Sequence, residues 1–141
     1  MSKSHALEFL VERSEERVEK AAVELGQANV QLNQLHEQKQ QIIDTLNEPM
    51  KPIVMSAAQM INLMAWRSRL YQLEASCEKA IEQASEEVQH RKADLQGAQT
   101  EKMKFEAVLK RAVKRRELAA ARKEQKVSDE FAANSWRRHA A

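Results

Sequence analysis

Charged side chains dominate the reactive groups of this sequence, and their spacing offers little to catalysis. Lys, Arg, Asp and Glu make up 31% of the 141 residues, and aromatic residues only 4%. The four histidines are far apart and lack the short spacing of metal ligands. Carboxylate neighbours such as Glu86 and Glu87 are typical of a solvated helix face. We therefore expect no enzyme, with no catalytic residue, no metal site and no cofactor.

Basic residues near the C-terminus are better suited to binding. Residues 1–100 have 11 Lys and Arg against 15 Asp and Glu, whereas residues 101–141 have 12 against 6. This asymmetry indicates a negatively charged partner for the C-terminal part. Nucleic acid is one alternative, since basic helices of zipper proteins continue out of a coiled coil. The apolar stripe through Phe105, Leu109 and Ala112 favours a protein instead.

Four of the six methionines gather in the middle of the chain. They are Met50, Met55, Met60 and Met64. Flexible thioethers suit an adaptable contact surface, but they could equally pack a turn. Both interpretations stay open.

Two tracts with apolar residues at alternating three- and four-residue spacings must position these groups. The first runs from Leu7 to Leu46 and the second from Leu63 to Ala119. A period near 3.5 residues is typical of a coiled-coil seam. Only two glycines and two prolines are present, so long helices are expected. The pattern predicts an all-α fold, with two long helices in an antiparallel coiled-coil hairpin and a longer, overhanging second helix.

Helix boundaries follow from local signals. Helix 1 is expected over about 4–47, since Pro49 disfavours helix in the residue before it, and Pro52 keeps the turn over about 48–56 non-helical. Ser56 and Gln59 form a capping box that predicts the start of helix 2, over about 57–126. The hairpin thus covers 1–126. Residues 127–141 lack the seam pattern, and we expect a C-terminal tail that is frayed or ordered only on binding.

Pairing the two tracts gives an expected register in which facing residue numbers add to 105 or 106. Ile42 then faces Leu63, and Leu32 faces Leu73. On this register Phe105, Leu109 and Ala112 have no partner in helix 1. The unpaired, basic end of helix 2 is the expected binding surface.

Cellular location is indicated by two weaker signals. The lone Cys77 lies on the seam, where it is expected to be a small buried hydrophobe suited to a reducing cytoplasm. The most apolar window, residues 53–66, is shorter than the about 20 residues that cross a bilayer. No signal peptide is recognisable. We expect a cytoplasmic protein with no direct membrane span.

Three segments resemble a known family. The opening Ala6-Leu7 with Leu10, the segment 73–81 (LEASCEKAI) and the segment 128–132 (SDEFA) are similar to the flagellar FliJ family of type III export components. The resemblance covers nearly the whole chain.

The resemblance implies the central stalk of the export apparatus. Paired termini of such a stalk enter the ring of the flagellar export ATPase hexamer, and the protein escorts unloaded export chaperones. It would be peripheral to the cytoplasmic face of the inner membrane. Together with the unpaired basic seam, this predicts a set of ring-binding residues: Leu7, Leu10, Phe105, Leu109, Arg111, Lys114, Arg115, Arg122 and Lys123.

The resemblance also implies contact with the cytoplasmic domain of the export gate membrane protein. The matching positions are Gln38, Ile42, Leu73 and Ala80. The chain departs from the family here, because Thr45 and Pro49 stand where aromatics are expected and Ala84 where a polar ring is expected. A contact shifted toward Trp66 and Tyr71 is therefore an alternative.

Two other functions remain open at this point. One is a coiled-coil scaffold, either cytoskeletal or associated with chromosomes and nucleic acid. The other is the equivalent stalk of a virulence secretion system.

Overall fold

The chain forms two α-helices. The computed structural model describes residues 3–49 and 54–140, and Met50 and Pro52 lie outside them. Helix α1 spans Lys3–Leu46 and helix α2 spans Ala57–His139, with no strand in the described residues. No described helix has the length and apolar character needed to cross a bilayer.

Local hydrogen bonds define the turn ends of both helices. After α1, the Asn47 amide donates to the carbonyl of Ile43 at 2.9 Å. At the start of α2, the Ser56 amide donates to Gln59 Oε1 at 3.0 Å, and the Gln59 amide donates to Ser56 Oγ at 3.3 Å. These reciprocal bonds satisfy two amides that the first turn leaves unpaired. The predicted capping box is confirmed.

Helix α2 does not end near Lys126, as the sequence analysis expects, but continues to His139. No proline or glycine interrupts residues 127–139, and alanines in this segment favour helix. Gln125 donates to Asp129 Oδ1 at 3.1 Å across the expected boundary. The last turn holds Arg137, Arg138 and His139, whose positive charge suits a helix C-terminus. The helix therefore continues through residues 127–139, although the apolar stripe that pairs with α1 does not.

The chain divides into two compact units, and each contains parts of both helices. Unit 1 combines Met1–Val18 with Ala98–Ala141, and unit 2 is Glu19–Gly97.

In unit 2 the two helices run antiparallel. The carbonyl of Leu46 accepts a bond from Arg67 Nη2 at 3.3 Å. Lys39 Nζ lies 3.0 Å from Glu78 Oε1, and Glu24 Oε2 lies 2.9 Å from Arg91 Nη1. As the residue number falls along α1, it rises along α2. Together with the two long helices, these contacts confirm the all-α antiparallel hairpin.

The register, however, differs from the expected one. The paired numbers at Leu46, Lys39 and Glu24 add to 113, 117 and 115. In unit 1, Arg17 Nη1 lies 3.2 Å from Glu101 Oε1, and these numbers add to 118. The expected 105 is wrong by about ten residues, or three seam steps of 3.5 residues. Such a shift still brings seam residues to face seam residues, so periodicity alone could not exclude it.

Side-chain size distinguishes the observed register from the expected one. Ala21, Ala28, Ala84 and Val88 are buried in unit 2. At the observed offset Ala28 comes level with Val88, and Ala84 comes level with Leu32. Small residues then meet larger ones, which fills the space between the helices better than two small layers would.

A crosslinking experiment can test the register. Cysteines at Lys39 and Glu78, in a Cys77→Ser background, should be joined efficiently within one chain by a short thiol-reactive crosslinker. Cysteines at Lys39 and Arg67 form the matched control, because the expected register pairs them and the structure separates them. Electrophoresis measures both yields. Preferential crosslinking of the control pair would restore the register of 105.

Candidate partner-binding surfaces

In unit 1, Leu7 of α1 lies against α2 in a small cleft. The cleft has a volume of about 290 Å3 and is lined by Leu7, Val108, Arg111, Ala112 and Arg115. Three of the lining residues are apolar, and the other two are arginines. The structure therefore brings together three residues of the predicted ring-binding set: Leu7, Arg111 and Arg115.

Phe105 and Leu109 are not unpaired, contrary to the sequence analysis. Both side chains are half-buried in unit 1. The reason is the register, because the first turns of α1 reach about ten residues further along α2 than expected. Leu7 consequently meets Ala112 rather than Ala98. The premise that the overhang begins at Phe105 is wrong.

Leu10, another predicted residue, is exposed on α1. Its neighbour Phe9 is also exposed, and the Arg13 guanidinium lies 5.4 Å from the centre of its ring. A cation at this distance over an aromatic face is attracted by the ring quadrupole. Arg13 thus holds Phe9 at the surface of α1.

The predicted cations of α2 share one property, which is that they have no carboxylate partner. Arg17 and Lys102 of unit 1 pair with Glu101 and Glu106. Among the described residues no acidic group lies within ion-pair distance of the five predicted cations, which are all exposed: Arg111, Lys114, Arg115, Arg122 and Lys123. Their charge is therefore available to a binding partner.

An apolar face on the last part of α2 was missed by the sequence analysis. Ala120, Val127 and Phe131 lie on one side of the helix, flanked by Lys123 and Glu124. Phe131 is 76% exposed, and Trp136 further along is also exposed. Steps of seven and four residues separate these three side chains, a helical spacing that begins one residue beyond the seam residue Ala119 and is the signal that the sequence offers.

In unit 2, three of the four predicted gate-binding residues line one groove. Gln38 and Ile42 of α1 lie there with Leu73 of α2, around a volume of about 300 Å3. Gln41, Thr45, Leu70 and Cys77 complete the lining. The grouping that the family resemblance implies is thus present in the structure. It depends on the observed register, because the expected one placed Ile42 against Leu63.

The remaining gate candidates lie outside this groove. Ala80 is half-buried on α2, three residues beyond Cys77, and does not line it. Trp66 and Tyr71, the alternative contact residues, are exposed and are also not part of its lining.

Arg91 holds the helices of unit 2 in register. Its Nε donates to Glu87 Oε1 at 2.7 Å, and its Nη1 donates to Glu24 Oε2 at 2.9 Å. The hydrogen bond to Glu87, followed by the charge of that carboxylate, raises the pKa of Arg91. Arg91 therefore stays charged and links the two helices at one position.

These features define the class of protein. A helical hairpin that presents apolar faces and unpaired cations is suited to binding and linking other macromolecules. A family model described as Flagellar FliJ protein matches residues 2–141, and the chain belongs to this family. The family is a non-enzymatic component of flagellar protein export, a transport process related to type III secretion.

Membership supplies a coarse function. It makes the chain a flagellar export-related stalk protein that associates with components of the export apparatus. Comparisons with curated proteins and with solved structures find no match.

Alanine at Phe105 and Leu109 should reveal their burial. Because both side chains are half-buried, we expect the double variant to lose about 2 kcal/mol of unfolding free energy. Urea denaturation followed by circular dichroism measures this. The matched control is alanine at Val127 and Phe131, whose exposed side chains should change stability by less than about 0.5 kcal/mol. Equal stability of the two double variants would show that Phe105 and Leu109 are unpaired after all.

Proposed function

We propose that this protein is the central stalk of the flagellar export apparatus and inserts unit 1 into the ring of the export ATPase hexamer. The family membership supports the setting, since it covers residues 2–141. The observation that most supports the proposal is the exposed part of α2 in unit 1. There, five unpaired cations accompany the apolar face of Ala120, Val127 and Phe131.

The chemistry of this segment favours a protein ring over nucleic acid. Exposed cations speed association with an acidic surface, and apolar side chains then hold the complex after water is excluded. A helix that binds only phosphates needs no apolar face beside its cations. Leu7 and Leu10 of α1 belong to the same unit and extend the proposed docking surface.

The groove of unit 2 is the proposed site for the export gate. Gln38, Ile42 and Leu73 supply one amide and two apolar side chains, a combination that suits an apolar segment of the gate's cytoplasmic domain. Contact with a membrane protein would place the stalk at the cytoplasmic face of the inner membrane. Binding at both units would couple the ATPase to the gate.

Escort of export chaperones is part of the proposal through the family resemblance alone, and no surface is assigned to it. The flagellar family match favours a flagellar system over a virulence secretion system.

Reversing charges should separate docking from folding. We expect Arg115→Glu, Arg122→Glu and Lys123→Glu together to slow association with the ATPase about tenfold, because long-range attraction to an acidic surface is lost. Surface-based binding kinetics measure the rate. Added salt should slow the unaltered protein too, since screening acts over about 8 Å at physiological ionic strength.

The matched control reverses three exposed cations of unit 2, namely Lys20, Lys79 and Lys92. It has the same change in net charge and should keep most of the association rate. If both triple variants bind equally well, unit 1 is not the docking unit.

Truncation in the groove should test the gate site. Gln38→Ala with Leu73→Ala should weaken binding to the cytoplasmic domain of the gate protein about tenfold, since both side chains line the groove. Isothermal calorimetry measures the affinity. Trp66→Ala with Tyr71→Ala is the matched control and should bind normally. The reverse result would move the gate contact to Trp66 and Tyr71.

A further inference from the structure

The first turns of α2 present an apolar face that neither the stalk nor the gate proposal uses. Ala57, Met60, Ile61 and Met64 recur at three- and four-residue steps, and Tyr71 continues them two turns further on. We call these five residues the Met60 face. All are exposed, with Ile61 at 66% and Met64 at 67%.

The register explains why α1 leaves this face uncovered. The last residue of α1, Leu46, meets Arg67 through its carbonyl, and Thr45 lies in the same groove as Leu70. Helix α2 begins at Ala57, ten residues before Arg67. Residues 57–66 of α2 therefore extend beyond the end of α1, which cannot cover them.

Charge is distributed unusually around the Met60 face. Residues 54–66 contain no ionisable side chain. Between Glu48 and Glu74 the only charged residues are cations: Lys51, Arg67 and Arg69. The nearest preceding carboxylates, Asp44 and Glu48, belong to the end of α1 and the residues after it.

The capping box lowers the backbone cost of bringing this helix start to the headgroup level, where water still reaches the Ala57 and Ala58 amides. The Ser56 and Gln59 amides are satisfied by the capping box itself. An uncapped helix start would have to keep these groups in water, because an unpaired amide is costly in hydrocarbon.

We propose that the Met60 face binds the surface of a bilayer that contains anionic phospholipids. Met60, Ile61 and Met64 enter the boundary between headgroups and acyl chains, and the exposed Arg69 contacts the lipid phosphates, while the half-buried Arg67 keeps its bond to the carbonyl of Leu46 and adds positive charge nearby. Amphipathic helices bind in this way by combining apolar burial with attraction to anionic lipid. This contact goes beyond the proposed stalk function and does not depend on it.

Two observations favour lipid over a protein partner. Attraction to anionic lipid needs cations and no carboxylate beside the apolar face, and residues 54–73 contain Arg67 and Arg69 with no Asp or Glu. A second copy that paired through the same face would bring these cations together, and residues 54–73 add no carboxylate to balance them. Anionic headgroups supply that balance.

Vesicle flotation tests the proposal with the full chain. The protein should float with vesicles of phosphatidylcholine and phosphatidylglycerol, and far less with phosphatidylcholine alone. Ile61→Glu with Met64→Glu should lower binding to the mixed vesicles about tenfold, since two carboxylates enter the apolar face.

The matched control is Val23→Glu with Val30→Glu. These valines are 60% and 57% exposed in the same unit, so the control removes similar apolar area and adds the same charge. It should keep most of the binding. Equal loss in both variants would show that net charge alone attracts the lipid, and unchanged binding in the Met60-face variant would assign lipid binding to the basic end of α2. Either result would overturn the proposal.

A fluorescent label reports insertion directly. An environment-sensitive dye on Met64→Cys, in a Cys77→Ser background, should shift to shorter wavelength on mixed vesicles. The same dye on Val30→Cys should not shift. Absence of flotation together with a shift that appears only as protein concentration rises would overturn the lipid proposal in favour of a second copy.

Discussion

The offset between α1 and α2 is the constraint on which the other features depend. In unit 2 it is held by the ion pairs of Lys39 with Glu78 and of Arg91 with Glu24, at 3.0 and 2.9 Å. A shift by one heptad would keep apolar residues facing each other but would separate Lys39 from Glu78 and Arg91 from Glu24, while Arg91 would keep Glu87 and Asp94 of its own helix. Ion pairs as exposed as these contribute at most about 1 kcal/mol each. They therefore favour one register together with the packing of Ala28 and Ala84 against larger side chains. The groove of Ile42 and Leu73 and the uncovered Met60 face both follow from that selection.

Sequence patterns predicted the features that depend on neighbouring residues, namely the two helices and the start of the second. The period of 3.5 residues indicated two helices, and Ser56 with Gln59 indicated where the second begins. Neither signal carries information on the offset, because a heptad pattern repeats along the helix. The family resemblance grouped Ile42 with Leu73, while the periodicity argument paired Ile42 with Leu63. These two inferences were incompatible, and the observed groove contains the first grouping. The end of α2 differs for another reason: residues 127–139 lack the stripe that pairs with α1, but a helix needs no paired stripe where proline and glycine are absent.

A pair of helices can bury only one stripe of each, which explains the abundance of exposed apolar residues. In the described part of the chain, the buried apolar side chains are small or medium-sized: Ala21, Ala28, Leu46, Ala84 and Val88. Larger side chains off the seam, such as Ile61 and Phe131, have no second layer to cover them. Faces of this kind on a small protein indicate contact with other molecules. The thin core and the binding surfaces are thus two consequences of the same architecture.

The unpaired cations of α2 have a cost that the hairpin itself does not offset. Arg111 and Arg115 lie four residues apart, as do Lys110 and Lys114, and like charges at this spacing destabilise an isolated helix. In unit 2 the arrangement is the opposite, since Arg91 is four residues from Glu87 and pairs with it. The same helix therefore uses charge to hold the hairpin together in one unit and accumulates unbalanced charge in the other. An acidic partner would add contacts to unit 1 and would also remove a repulsion that exists before binding. The free energy of binding would then include the relief of this repulsion in the free protein as well as the contacts made in the complex.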